Sequence, residues 1–415
     1  MDTARADALA ARDHLHKQGW IASRNESFRH LQPPDMQTWL SGPDDSTAPG
    51  CEAPALAGAG WTVHPIGNAP QSRVQARWLD ALDPMQRTEL FADLPLPGDD
   101  DAAPFVWAHR ARCRHGLRLH LQATPGNLGL SQSVVCLQLR HQPREVAEAP
   151  LLVLEVDEGV HCILLETHER DTNHCGQGVA QNLHAHIRLG TGATLQHLRT
   201  AAPGPQDRMA HHVHARLASH ARYEQALIAT GGLYHLQRTT LDLQGLHAMA
   251  HTAGLLLAAD TALEQQVHTV HHMGHTSSQV ETLALASGSA HVVANAHTRI
   301  ATGADEAAVH QRLTGIPLAG QPRLVLRPHL EILHDHVQAA HGATWGALSE
   351  DALFYARQRG LDDASARALI IQGMAQALLG RCIDNPELLA TWHDSGWLAD
   401  TIARHLVTTQ EVHGE

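Results

Sequence analysis

From about residue 99 to 344 the hydrophobic and polar positions alternate with period two. In "NLHAHIRLG", Leu183, Ala185, Ile187 and Leu189 fall on one side, and His184, His186 and Arg188 on the other. "YHLQRTTLDLQG" and "HVVANAHTRI" behave alike, with corners such as Gly190, Gly192, Gly231-Gly232, Gly245, Gly288 and Gly303 between the runs. Such alternation predicts strands with one face in a core. Many short strands with small to medium aliphatic inward positions suit a sandwich, a barrel or a β-helix. Nothing resembles the two-residue turns of antiparallel hairpins, which favours the β-helix.

The two ends of the chain have a different texture. Residues 1–98 read as an N-terminal, mostly helical region, with a helix around Gln71–Phe91 that carries Trp78, Leu79, Leu82 and Met85 on one stripe. "SGPDDSTAPGCEAPALAGAG" within it reads as irregular, and "LPGDDDAAP" as the turn that closes it. Residues 99–344 form the β core and 345–415 a C-terminal helical region. There Ser349 caps "SEDALFYARQRG", Gly360 stops it, and Asp362 or Asp363 opens a helix that ends at Gly380. Asn385-Pro386-Glu387 then reads as an N-cap with proline at the first helical position. Apolar faces on these helices need a surface, either the β core or another protein.

Composition narrows the function. A net charge of −13 argues against sequence-independent nucleic-acid binding. No apolar run is long enough to span a membrane, and the start has no apolar leader, so the expected compartment is the cytoplasm. Six scattered cysteines without a CxxC pair read as reduced thiols. Of 30 basic residues only Lys17 is a lysine, and there are 35 histidines, a bias most simply set by codon composition. No single histidine is therefore a ligand by virtue of its type.

Two histidine clusters are candidates for chemistry. In "RPHLEILHDHVQAAHGATWG", Leu330 and Ile332 share a face. After the bend at His334-Asp335-His336 the parity flips, and Val337, Ala339 and His341 share one. If Val337 points inward so does His341, which is then either hydrogen-bonded and inert or held for chemistry. His334 and His336 read as solvent-facing. In "VHTVHHMGHTSSQ", His268 and His272 lie on one strand side and His271 and His275 on the other, so the four cannot converge on a zinc ion. P-loop, GxSxG and HExxH motifs are absent, as are paired carboxylates on one strand face, so no enzyme is expected.

The stretch "RPHLEILHDHVQAAHGATWGALSEDALFYARQRGLDDASARALI" resembles the C-terminal signature of the SufB/SufD family of iron–sulfur cluster assembly proteins, in the His-Gly-Ala-Thr form of its SufD-type members. The matching residues include Pro328, Glu331, Asp335, His341-Gly342-Ala343-Thr344, Leu353-Phe354-Tyr355 and Arg359-Gly360. "HHMGHTSSQ" and "GWIASRNESFRHL" are similar to two upstream motifs of the family.

The resemblance implies a right-handed parallel β-helix flanked by helical regions, and a scaffold without catalysis of its own. It also implies pairing with SufB, β-helix to β-helix, and docking of the ATPase SufC on the C-terminal helices. Leu353, Phe354, Tyr355 and Arg359 are the candidate partner-binding residues. A homodimer is implied when the chain is expressed alone. An iron–sulfur cluster would be held transiently at the SufB interface rather than stably on this chain. His341 is the candidate cluster or iron ligand, and His272 a secondary metal candidate. Ala339 stands where the family has a cysteine, which removes one thiolate. Two other readings stay open: a histidine-rich metal-storage protein, and a β-helix carbohydrate enzyme.

Overall fold

The structure is a computed structural model. It describes residues 3–41, 57–58, 61–65, 74–98, 100–123, 134–143, 145–170, 178–383, 385, 389 and 396–407. Two sheets run side by side through the core. The first holds β1 (Ala57–Gly58), β2 (Trp61–Pro65), β5 (Val134–His141), β8 (His161–Glu169), β10 (Thr194–Ala202), β12 (Arg222–Thr230), β14 (Met249–Ala259), β16 (Ser277–Gly288), β18 (Ala308–Gly320) and β20 (Gln338–Trp345), in that order. The second runs β3 (Val74–Asp80), β4 (His115–Leu121), β7 (Leu151–Val156), β9 (Ala180–Leu189), β11 (Arg208–Leu217), β13 (Tyr234–Leu243), β15 (Ala262–His271), β17 (His291–Ile300) and β19 (Arg323–Ile332), with β6 (Ala147–Glu148) beside β9. From β7 onward consecutive strands alternate between sheets, and neighbours within a sheet are parallel from β5 and β4 onward. This is the expected parallel β-helix, of about 7 turns.

Alternation places one set of side chains inside. Leu183, Ala185, Ile187 and Leu189 of β9 join Leu195, Leu227, Leu256 and Val292 in the long interior core. The outer faces are covered too. α1 (Thr3–Gln18), α2 (Met36–Leu40) and α4 (Ala103–Arg112) bring Leu15, Trp39 and Phe105 against Ala210, Tyr234 and Leu236 of the second sheet. Phe28, from the upstream motif, is buried in this cluster, and Glu26 accepts from Arg327 of β19. On the first sheet, α6 (Asp363–Cys382) and α7 (Trp397–Val407) cover Ala253, Leu255 and Leu257. Leu256 and Ala258 of the same strand face inward. Burial on both faces explains the continuous apolar run "AGLLLAAD".

Two expectations fail. The stripe Trp78, Leu79, Leu82, Met85 is not one helix. Val74–Asp80 is strand β3, antiparallel to β4, and Pro84–Leu90 is a separate helix α3. Asp83 caps α3 and Pro84 opens it, so the break lies at the Asp-Pro pair, while Leu82 is 50% exposed. The N-terminal region is thus not only helical: β2 and β3 pair antiparallel with β5 and β4 and close the first end of the β-helix. The loop expected at "SGPDDSTAPGCEAPALAGAG" lies almost wholly outside the described residues, as does most of Asn385-Pro386-Glu387.

The interior also departs from the expected run of aliphatics. Glu166, His168, His197, Arg199 and His211 are all buried there. Glu166 accepts from His168 and, at 2.6 Å, from His197 Nε2, and lies 3.5 Å from Arg199 Nε. Arg199 donates to His211 Nδ1 at 2.7 Å and to Gln237 Oε1 at 3.0 Å. Burial pushes the Glu166 carboxyl up, but the charges of His168 and Arg199 outweigh it and hold it well below the usual range. One carboxylate and one guanidinium compensate each other inside the core.

Removing one partner leaves the other charged and unpaired, so Glu166→Leu should cost about 3–5 kcal/mol in chemical denaturation. Leu82→Ala, at an exposed site, should change stability by less than about 0.5 kcal/mol. A similar cost for both would refute this assignment of buried and exposed positions.

Candidate functional site at the open end of the solenoid

Among the described residues the far end of the β-helix has no cap. β19 and β20 are the last strands of their sheets, and among the described residues no strand pairs with their outer edges. Within β20 only Ala343 is even partly buried. Register puts Ala339 against Val309, His341 against Gln311 and Ala343 against Leu313. His341 therefore lies on the inward side of its strand, as parity requires, yet it is exposed because no further coil closes over it. Beneath it the neighbouring layer is polar: Gln311 donates to Thr298 Oγ1 at 2.8 Å and to the His329 carbonyl at 3.2 Å. Ile332, Leu333 and Trp345 add exposed apolar surface at this end, Trp345 at 58%.

Beyond β20, Ser349 caps α5 (Glu350–Gln358) by accepting from Ala352 N–H, and Asp362 caps α6 by accepting from Ser365 N–H. The four motif residues of α5 divide. Leu353 is 2% exposed and packs α5 into the cluster that holds α6, so it is not a surface contact. Phe354 and Tyr355 project outward, and the Arg359 guanidinium stacks 3.3 Å from the Tyr355 ring centroid.

Between α6 and the first sheet runs a groove of about 880 Å³, lined by Glu224, His251, Gln279, His310, Arg381 and Ala339–Ala340 of the terminal strand. Glu281 of β16 anchors α6 beside it, accepting from Arg381 Nη2 at 2.8 Å and Arg312 Nη2 at 2.6 Å.

Metal-ligating groups do not gather at His341. Among the described residues it belongs to no cluster of three ligating groups. His272 is exposed and lies 3.6 Å from Asp242, which also bonds His214 at 2.7 Å. His271 is buried between Thr276 and Ser278 hydroxyls, so the run His268–His275 diverges as its parity demands. Cys113, Cys136, Cys162 and Cys382 are unpaired thiols, while Cys51 and Cys175 lie outside the described residues. Burial pushes Cys113 up to about 12 and also raises Cys162 and Cys382, so none of these three offers a thiolate near neutral pH. His334 and His336 sit at the bend, both beside Asp305, a neighbour from the previous coil that strand parity alone did not reveal.

Antiparallel strands cover one end of this parallel β-helix, and among the described residues no strand covers the other, while helices lie along its sides. The family model for the SufBD core domain of the SUF iron–sulfur cluster assembly system matches residues 139–374, and the chain belongs to that family. It is 23% identical over 267 residues to the iron–sulfur cluster assembly protein SufD of Escherichia coli, covering 60% of this chain and 63% of that protein. It is also 23% identical over 300 residues to a SufBD family protein of Synechocystis, covering 70% and 62%. A SufD of Plasmodium berghei matches at 27% over 234 residues, 55% of this chain and 17% of that one. The matches thus span less than two thirds of these relatives' own lengths. Among the described residues no helix is long and apolar enough to cross a membrane.

The Glu281 anchor gives a pH test of how the C-terminal helices are held. Burial raises its pKa, but the bonds from Arg381 and Arg312 outweigh that and hold it at about 2, against 4.5 for a free glutamate. A depressed folded pKa contributes stability that is complete above about 4.5 and lost as pH falls through about 2. Arg381→Met should remove on the order of 1–2 kcal/mol of this docking energy at neutral pH. Pepsin at pH 3 should then cut within 346–415 several-fold faster than in wild type. Equal rates would show that the ion pair does not hold α6.

Proposed function

We propose that this chain is a non-catalytic scaffold subunit of the SUF iron–sulfur cluster assembly complex, acting through its open end and its C-terminal helices. The observation that carries this reading is the pair of terminal strands, β19 and β20, whose outer edges no strand among the described residues pairs, with exposed Ile332, Leu333 and Trp345 around them. A second β-helix of the same family, SufB, is the partner whose backbone has the matching groups to continue both sheets. His341 then stands at the junction, facing a polar layer and able to complete a ligand set with side chains of SufB. A cluster would be held there transiently, and Ala339 leaves the thiolate to the partner.

Phe354, Tyr355 and Arg359 form an aromatic and cationic patch on α5, the composition enriched where one protein docks on another. In this reading the patch receives the ATPase SufC, and Leu353 supports it from beneath. The same open end accounts for a homodimer when no SufB is present. The buried, protonated thiols suit a reducing cytoplasm.

Coexpression with SufB and SufC tests the reading. Wild type should co-purify with both and build a cluster on anaerobic addition of iron and sulfide. His341→Ala should keep the complex and lose at least about tenfold in cluster yield. Phe354→Ala/Tyr355→Ala should lose SufC while keeping SufB. Failure of wild type to pair with SufB would overturn the scaffold reading, and full cluster yield with His341→Ala would remove the histidine from it.

A further inference from the structure

One corner of the β-helix, where each strand of the second sheet passes to the next strand of the first, repeats a left-handed residue. Gly159, Gly192, His220, His247, His275 and Glu306 occupy it in successive coils, with φ from 54° to 67°. The backbone N–H of His275 donates to the Asp305 carbonyl at 2.7 Å, and that of Glu306 to the His336 carbonyl at 2.8 Å, so successive corners are tied in register. Their side chains stack as a result. The His220 and His247 rings lie 4.8 Å apart and those of His247 and His275 4.9 Å apart, close to parallel in both pairs.

At the last coil this column ends in a mixed cluster. His275 Nδ1 lies 3.0 Å from Glu306 Oε2, His336 Nδ1 2.7 Å from Asp305 Oδ1, and His334 Nε2 3.5 Å from the same oxygen. One ligand atom each of Asp305, Glu306 and His336 lies within 4.8 Å of the other two.

We propose that Asp305, Glu306 and His336 bind one divalent first-row transition-metal ion at the rim of the open end, with His275 beside Glu306. Imidazole nitrogen with carboxylate oxygen is the donor set that zinc, ferrous iron, cobalt and nickel take. Metal–ligand bonds of about 2.0–2.2 Å put adjacent ligand atoms roughly 3 Å apart, near the separations already present in the His275–Glu306 and Asp305–His336 pairs. The side chains are exposed, so an ion enters without opening the fold, while the backbone that carries them is tied coil to coil.

The other three-group cluster, Glu166 with His168 and His211, lacks these properties. It is sealed in the core, and Arg199 already occupies the His211 nitrogen and balances the single carboxylate. A dication there would add uncompensated buried charge. The rim site, in contrast, brings two carboxylates to the ion.

The site needs no partner and is independent of the scaffold reading. The full chain, stripped with chelator, is titrated with Co²⁺ at pH 7.5 under visible absorption and calorimetry, with Zn²⁺ and anaerobic Fe²⁺ as competitors. Wild type should show one equivalent tighter than the background of its many histidines. Asp305→Asn/His336→Ala should weaken that equivalent by about tenfold or more, while His220→Ala, at the far end of the stacked histidines, should leave it unchanged. Circular dichroism checks that each variant is folded. A double variant that titrates as wild type, or a His220→Ala variant that loses the same equivalent, would overturn the assignment.

Discussion

Each coil of this protein depends on the backbone of the coil beside it. A parallel ladder satisfies a strand's N–H and C=O groups only through its neighbours, so a solenoid always carries two ends where that supply stops. The chain treats its ends differently. At the first, β2 and β3 turn back antiparallel and cover β5 and β4. At the second, the chain leaves β20 and sends α6 and α7 along the outer face of the first sheet, away from the edge. The helices therefore bury the apolar outer rows of β12, β14 and β16, and among the described residues none covers the outer edges of the terminal strands.

That asymmetry orders the functional surface. Residues at the open end, His341 among them, have the parity of core positions and the exposure of surface ones. His341 points where the next coil's neighbour would lie, above Gln311. A side chain so placed becomes buried only when another chain supplies a coil. The aromatic patch on α5 follows from the same path: once Leu353 and Ala356 are used to pack the helix, the other side of α5 presents Phe354 and Tyr355.

Much of this was legible because period-two alternation is a one-residue rule. Capping signals marked Ser349 and left Asp362 or Asp363 as the start of α6, while the alternation gave the strands β9, β13 and β17 and the shared face of Val337, Ala339 and His341. It failed where the deciding partner lies far along the chain. Trp78 and Leu79 fit a helical stripe with Leu82 and Met85; what makes them a strand is pairing with β4, reached only after α3 and α4 have intervened. Glu166, His197, Arg199 and His211 likewise come from three strands, β8, β10 and β11, and nothing local to any one of them marks an ion pair inside the core. Asp305 and His336 are joined across consecutive corners, 31 positions apart, a relation visible only when the coil register is known.

The histidine excess separates on the same ground. Where coil register stacks one histidine on another, the structure either buries the pair, as with His184 and His212, or leaves it at a corner. Buried imidazoles such as His184, His211 and His212 are held neutral by desolvation and neighbouring positive charge, and they serve as core. Corner imidazoles remain in water and keep their ligating nitrogens. They gain metal-binding character only where register sets carboxylates among them, and along the stacked column that happens at the last coil, with Asp305 and Glu306. A composition bias spread over the whole chain is thereby converted into chemistry at one place by the geometry of stacking.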